Sequence, residues 1–285
     1  MRRCIRLPRS APFLLLLPCR RVPPDAPERP VDSKWPRTLW LVRHGQSAGN
    51  VARDAAEAAR APVIDIAHRD MDVPLSPLGV LQARSLGLWF GELPPGERPT
   101  VLLCSPYLRA LQTARLVLEA AALGEEEPPL VADERLREKE FGVLDRLTVH
   151  GIAAQHPELA EQRRHVGKFY FRPPGGESWC DVILRLRSVL DTLTREHRGE
   201  RVLVVAHQVV VTCLRYLLER LDESQILDID RREDVPNCGI TSYGFDPALG
   251  RRGKLALRHV NFVAPLREAG APVTAAPDVP AAPKP

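Results

Sequence analysis

The 285-residue sequence is short of lysine, has no paired cysteines and carries no long apolar run, and each shortage removes a class of function. Only Lys34, Lys139, Lys168, Lys254 and Lys284 are lysines, so its 40 basic residues are overwhelmingly arginine. They stand against 36 acidic residues, and the net charge of +4 is a near balance rather than a basic coat. No basic run with interleaved aromatics occurs, which argues against a nucleic-acid partner. Cys4, Cys19, Cys104, Cys180, Cys213 and Cys238 form no C-x-x-C pair and no His/Cys metal spacing. Neither a disulfide framework nor a metal site is indicated, and a reducing, cytoplasmic compartment fits. The N-terminal run Ala11 to Leu17 is too short to span a bilayer, and no membrane partner is expected. Arg2, Arg3, Arg6 and Arg9 before it loosely imitate a secretory signal, but Pro12 and Pro18 interrupt the run and no small-x-small cleavage site follows.

Composition also sets the boundaries. Residues 1–36 are read as a disordered or linker extension, with Pro23 to Pro36 proline-rich and polar. Residues 267–285 are Ala/Pro-rich and are expected to form a disordered tail. One domain, 37–266, lies between them, without internal repeats.

Within that domain apolar runs alternate with helical periodicity. Thr38 to Val42, Val101 to Cys104, Val202 to Ala206, Ile240 to Phe245 and Leu255 to Val260 read as strands. Ser76-Pro77 places an N-cap before a first-turn proline and opens a helix to about Leu93. Ser105-Pro106 repeats the device, and Ser178 with Asp181 resembles a capping box before the periodic run from Trp179 to Leu193. This alternation predicts an α/β fold in three layers, a mostly parallel sheet with helices on both faces.

Three chemistry-bearing residues share a placement. His44, Arg109 and His207 each follow the carboxyl end of a predicted strand, where open α/β sheets bind ligands. Arg43, Arg109 and two imidazoles converging near helix N-termini would cradle a phosphoryl group.

These residues carry a family resemblance. Arg43-His44-Gly45-Gln46-Ser47 with Asn50, Ser105-Pro106 leading to Arg109, Leu136-Arg137-Glu138 with Gly142, and Ala206-His207 together resemble the histidine phosphatase (phosphoglycerate mutase-like) superfamily. The likeness runs from Leu39 to about Pro265. It implies that His44 is the nucleophile and forms a phosphohistidine. It implies that Arg43, Asn50, Arg109 and His207 hold the phosphate oxygens, and that Glu138 acts as general acid, then general base. An imidazole must be neutral to attack, and neighbouring guanidinium groups disfavour a second positive charge. Phosphoryl transfer needs mainly positioning and charge neutralisation, so no cofactor or metal is expected.

Departures from the family pattern narrow the expectation. Ala206-His207-Gln208 replaces the common Ser-His-Gly and resembles the bisphosphatase half of bifunctional phosphofructokinase enzymes, which places Gln208 at the pocket. No G-x-x-x-x-G-K-[ST] loop accompanies it, so the kinase half is absent from this sequence. Glu138-Lys139-Glu140-Phe141-Gly142 stands where mutases carry a Glu-Arg-His-Tyr-Gly-like run, and an acidic Glu140 disfavours phosphoglycerate there. Hydrolysis of a small phosphorylated metabolite is therefore expected over mutase chemistry, with an inactive phospho-ligand-binding module as the remaining option. A homodimer is compatible with the sequence. Two loops, Val51 to Val73 and Arg164 to Glu177, are candidates for setting specificity. His68, His150, His156, His165, His197 and His259 have no metal spacing and read as surface or core residues.

Overall fold

A computed structural model describes residues 33–275. Most of the expected extension and the tail beyond 275 lie outside those residues. Six strands form one sheet in the order β3-β2-β4-β1-β5-β6. They are β1 (Thr38–Arg43), β2 (Val101–Cys104), β3 (Leu130–Ala132), β4 (Arg201–Ala206), β5 (Ile240–Asp246) and β6 (Lys254–Phe262). The first four run parallel, β5 pairs antiparallel with β1, and β6 pairs antiparallel with β5.

Alternation along the central strands explains why they read as unbroken apolar runs. Leu39, Leu41, Val202 and Val204 enter one core cluster, under α6 (Trp179–Glu196) and α7 (Gln208–Glu219). Trp40, Val42, Leu203 and Val205 enter a second, under α2 (Pro77–Glu92) and α3 (Leu108–Ala121). Side chains point alternately to opposite faces of a strand, so a sheet covered on both faces needs apolar residues at every position. The expected three-layer α/β architecture with helices on both faces is present. A satellite cluster of Leu144, Leu147, Ile152 and Phe171 packs around α4 (Val149–Gln155) and α5 (Pro157–Val166).

Three details differ from the sequence reading. Edge strand β3 was not anticipated; it has three residues, follows Pro128-Pro129, and leaves Val131 and Ala132 exposed, so it carries no burial pattern. Ser105 does not cap a helix. The cap is Tyr107 and α3 begins at Leu108, because the Ser105 hydroxyl is turned towards His207 instead. Packed chain also continues past 266: Ala271 is buried, and the Gln82 amide donates to the Pro272 carbonyl and to Thr274 Oγ1 at 2.9 and 3.0 Å.

Candidate active site

Strand register assembles the site. Arg43 pairs with Ala206 and Cys104 with Val205, so His44, His207 and Ser105 emerge side by side at the carboxyl edge. His44 N–H donates to the Ala206 carbonyl at 2.9 Å, and Ser105 N–H to that of Val205 at 3.0 Å. The parallel neighbour β3 feeds the chain through Asp133, whose N–H bonds Cys104 O, to Glu138. Each of the four parallel strands thus delivers one part: β1 gives Arg43 and His44, β4 gives His207, β2 gives Ser105 and Arg109, and β3 leads to Glu138.

His44 is wholly buried and its tautomer is set by its partners. Its Nδ1 lies 2.7 Å from the Gly45 carbonyl, and a carbonyl only accepts, so Nδ1 carries the hydrogen. Nε2 then holds the lone pair and accepts from Arg109 Nε at 3.3 Å. A hydrogen bond worth about 1 kcal/mol biases the tautomers several-fold, which is enough to keep the lone pair on Nε2. The imidazole of His207 stands 5.1 Å from that of His44, centroid to centroid, and 5.2 Å from the Tyr107 ring. His207 Nε2 pairs with Ser105 Oγ at 2.8 Å, a contact the sequence reading missed by treating Ser105 as a helix cap.

Close backbone approach holds this turn. A Cβ on Gly45 would lie 2.6 Å from Gly79 O, and one on Gly79 would collide with Gln46 O. Only glycines allow the N-terminus of α2 to clamp the turn after His44. Gly45 N–H donates to Thr113 Oγ1 at 3.0 Å, and Asn237 Nδ2 to the His44 carbonyl at 2.9 Å.

A cleft opens over Arg109. It is lined by α1 (Ala48–Ala58) and its cap through Ser47, Asn50 and Arg53, and by Asp70, Glu138, Asp145 and Arg146. Asn50 and Ser47 form the capping box of α1, so Asn50 both caps and faces the cleft. Arg109 Nη1 reaches the Asp70 carboxylate at 3.0 Å, so an acidic side chain occupies this guanidinium. Glu138 is buried and accepts Lys139 N–H on Oε1 at 2.8 Å. Burial pushes the neighbouring Lys139 ammonium down to about 8, partly countered by Glu138. Burial, then Asp70, also raises the Asp145 carboxyl.

The expected residues divide into two groups. Arg109, Glu138 and Asn50 line the cleft, whereas His44, bonded to Arg109, and His207 beside it are wholly buried. Arg43 and Gln208 neighbour the histidines along the chain but do not line the cleft. Arg43 Nη1 donates to Val235 O at 2.7 Å, and Gln208 Nε2 to Asp234 at 3.2 Å. Of the two candidate loops, the first lines the cleft through Ile64, Ile66, His68, Asp70 and Val73. The second does not: Phe169 packs against Trp179 and Tyr216, and Phe171 in the satellite cluster. Arg53 and His68 were missed as cleft residues, although the i, i+3 spacing from Asn50 to Arg53 on α1 was a readable signal. Among the described residues no group of three or more His, Cys, Asp or Glu side chains is placed to hold a metal ion.

A sheet that delivers paired histidines and an arginine to one edge defines an α/β enzyme of the phosphoglycerate mutase-like class. The chain belongs to the histidine phosphatase superfamily (branch 1), whose pattern matches residues 39–252. It is 34% identical over 202 residues to a 2,3-bisphosphoglycerate-dependent phosphoglycerate mutase of Methylobacterium radiotolerans, covering 70% of this chain and 87% of that one. It is 32% identical over 222 residues to a 6-phosphofructo-2-kinase/fructose-2,6-bisphosphatase of Caenorhabditis elegans, covering 74% of this chain and 42% of that one. The fold is shared with a crystal structure of phosphoglycerate mutase from Bacillus anthracis at TM-score 0.63 and 22% identity, over 85% of this chain and 100% of that one. Among the described residues no helix is long and apolar enough to cross a membrane.

Proposed function

We propose that the protein hydrolyses phosphomonoesters of small metabolites, without a metal, through a phosphohistidine on His44 Nε2. The observation that carries this reading is the His44 tautomer, with Nδ1 spent on Gly45 O and Nε2 turned to Arg109. In this reading Nε2 attacks phosphorus in line as the ester oxygen leaves. Arg43, Asn50, Arg109 and His207 take the charge of the equatorial oxygens, a task of positioning and neutralisation. Glu138 protonates the leaving oxygen and then takes a proton from the water that cleaves the phosphohistidine. The unpaired thiols Cys104, Cys213 and Cys238 support a cytoplasmic setting.

Transfer as a mutase is the second reading, favoured by the names of the relatives. Glu140 weighs against it: its carboxylate accepts from Tyr107 OH at 2.8 Å, beside His207, and repels an acid on that side. The test is quenching in alkaline detergent of enzyme mixed with a phosphorus-labelled ester. An acid-labile, base-stable phosphoprotein is expected in the wild type and not in His44→Ala, with turnover unchanged by EDTA. Label retained in His44→Ala, or inhibition by the chelator, would reject the reading. Isomerised product without free phosphate would move it to the mutase.

A further inference from the structure

Arg53 is a cleft cation whose charge the catalytic reading does not use and whose hydrogen bonds are incomplete. Its side chain is 6% exposed and lines the cleft with Asn50, Arg109 and Glu138. Nη2 pairs with Asp54 at 2.6 Å, but Asp54 is 49% exposed, so water screens most of that attraction. Nη1 is buried with no hydrogen-bond partner. Leaving such a donor unsatisfied is costly, and protein interiors rarely tolerate it without a purpose. Arg53 follows Asn50 by three residues on α1, which is about 4.5 Å of axial rise on the same face. That matches the spacing of two acidic groups on a two- or three-carbon phosphoester. The cleft's own carboxylates do not fill the role: Asp70 is held by Arg109, Glu138 is assigned to the leaving oxygen, and Asp145 already has its carboxyl raised. Arg146 adds a second cation to the lining.

We infer that Arg53 is a specificity-determining residue that binds a second anionic group, carboxylate or phosphate, on the leaving portion of the substrate. The inference rests on the phosphatase reading of the same cleft. It also places the substrate's acid beside α1, away from Glu140.

The test compares phosphoglycolate, 2-hydroxyethyl phosphate and ethylene glycol bisphosphate on wild type, Arg53→Gln and Arg53→Lys. Wild type is expected to favour an acid-tailed ester over the hydroxyl analogue at least ten-fold in kcat/KM. Arg53→Gln should bring that ratio near one by raising KM, and Arg53→Lys should restore part of it. The better of carboxylate and phosphate names the group. A wild type without preference, or an Arg53→Gln that slows all three esters equally, overturns the inference. If wild type turns over none of them, calorimetric binding of the same three compounds decides the subsite: equal affinity in wild type and Arg53→Gln rejects it.

Discussion

The two sides of the site are built by different means. His44 and His207 stand on the central pair β1 and β4, fixed by main-chain bonds such as His44 N–H to Ala206 O. Glu138 stands on the cleft wall, several residues beyond the short edge strand β3, where side chains do the holding. Arg185 donates to the carbonyl of Glu138 at 3.2 Å and to Glu177 at 3.0 Å, and Arg137 joins Glu177 at 2.8 Å. Backbone-held positions survive the loss of single neighbours. A position held by charges should answer to pH and to one substitution, so the histidine floor should be robust and the acid wall graded.

The largest effect expected is on the floor itself. His44→Ala should lower kcat by about 10⁴-fold or more on any phosphoester, since no other group supplies the nucleophile. Its melting temperature should stay close to wild type, because the main-chain bonds remain. Collapse of the fold would show that the imidazole is structural, and would break the comparison at its base. On the wall, Glu138→Gln should cost about 10²–10³-fold in kcat for an alkyl phosphate and much less for 4-nitrophenyl phosphate, whose leaving group needs no proton. Equal losses on both esters would remove Glu138 from the acid role.

An intermediate effect tests the seam between the sides. Ser105→Ala removes the hydroxyl that orients His207, and should lower kcat about ten-fold with little change in KM. Ser105→Thr, which keeps the hydroxyl, should recover most of the loss. An unchanged kcat in Ser105→Ala would mean that strand register alone aims His207.

The same division decides what was legible in the sequence. Thr38 to Val42 and Val202 to Ala206 announced β1 and β4 because two-sided burial leaves an unbroken apolar run, and the histidines follow those runs directly. Glu138 was found only through a motif, since β3 is three residues long and half exposed and gives no run to count from. Ser105 was misread because a Ser-Pro pair signals a helix cap locally, while its real partner, His207, is 102 positions away. The aromatic loop misled in a similar way. Phe169 and Phe171 are apolar enough to pack inward, whereas His68 and Asp70, polar and less conspicuous, line the cleft. Contacts made by side chains across the fold have no spacing rule.

The smallest effect expected isolates the brace behind Glu138. Burial alone would raise the Glu177 carboxyl, but the hydrogen bond and charge of Arg185, the Glu140 N–H and Arg137 outweigh it and hold it below its ordinary value of 4.5. A carboxyl depressed on folding contributes stability that is fully present above its unfolded value and is lost as pH falls through the folded one. Glu177→Gln turns an amide donor towards a site whose neighbours are all donors. It should cost about 1–2 kcal/mol at neutral pH and lower kcat only a few-fold, through a displaced Glu138. The stability gap to wild type should then close as pH drops below 4.5, because protonated Glu177 and glutamine are nearly equivalent there. A gap that stays constant through the acid range would show that Glu177 acts by shape rather than charge, and the acid wall would then be as rigidly built as the floor.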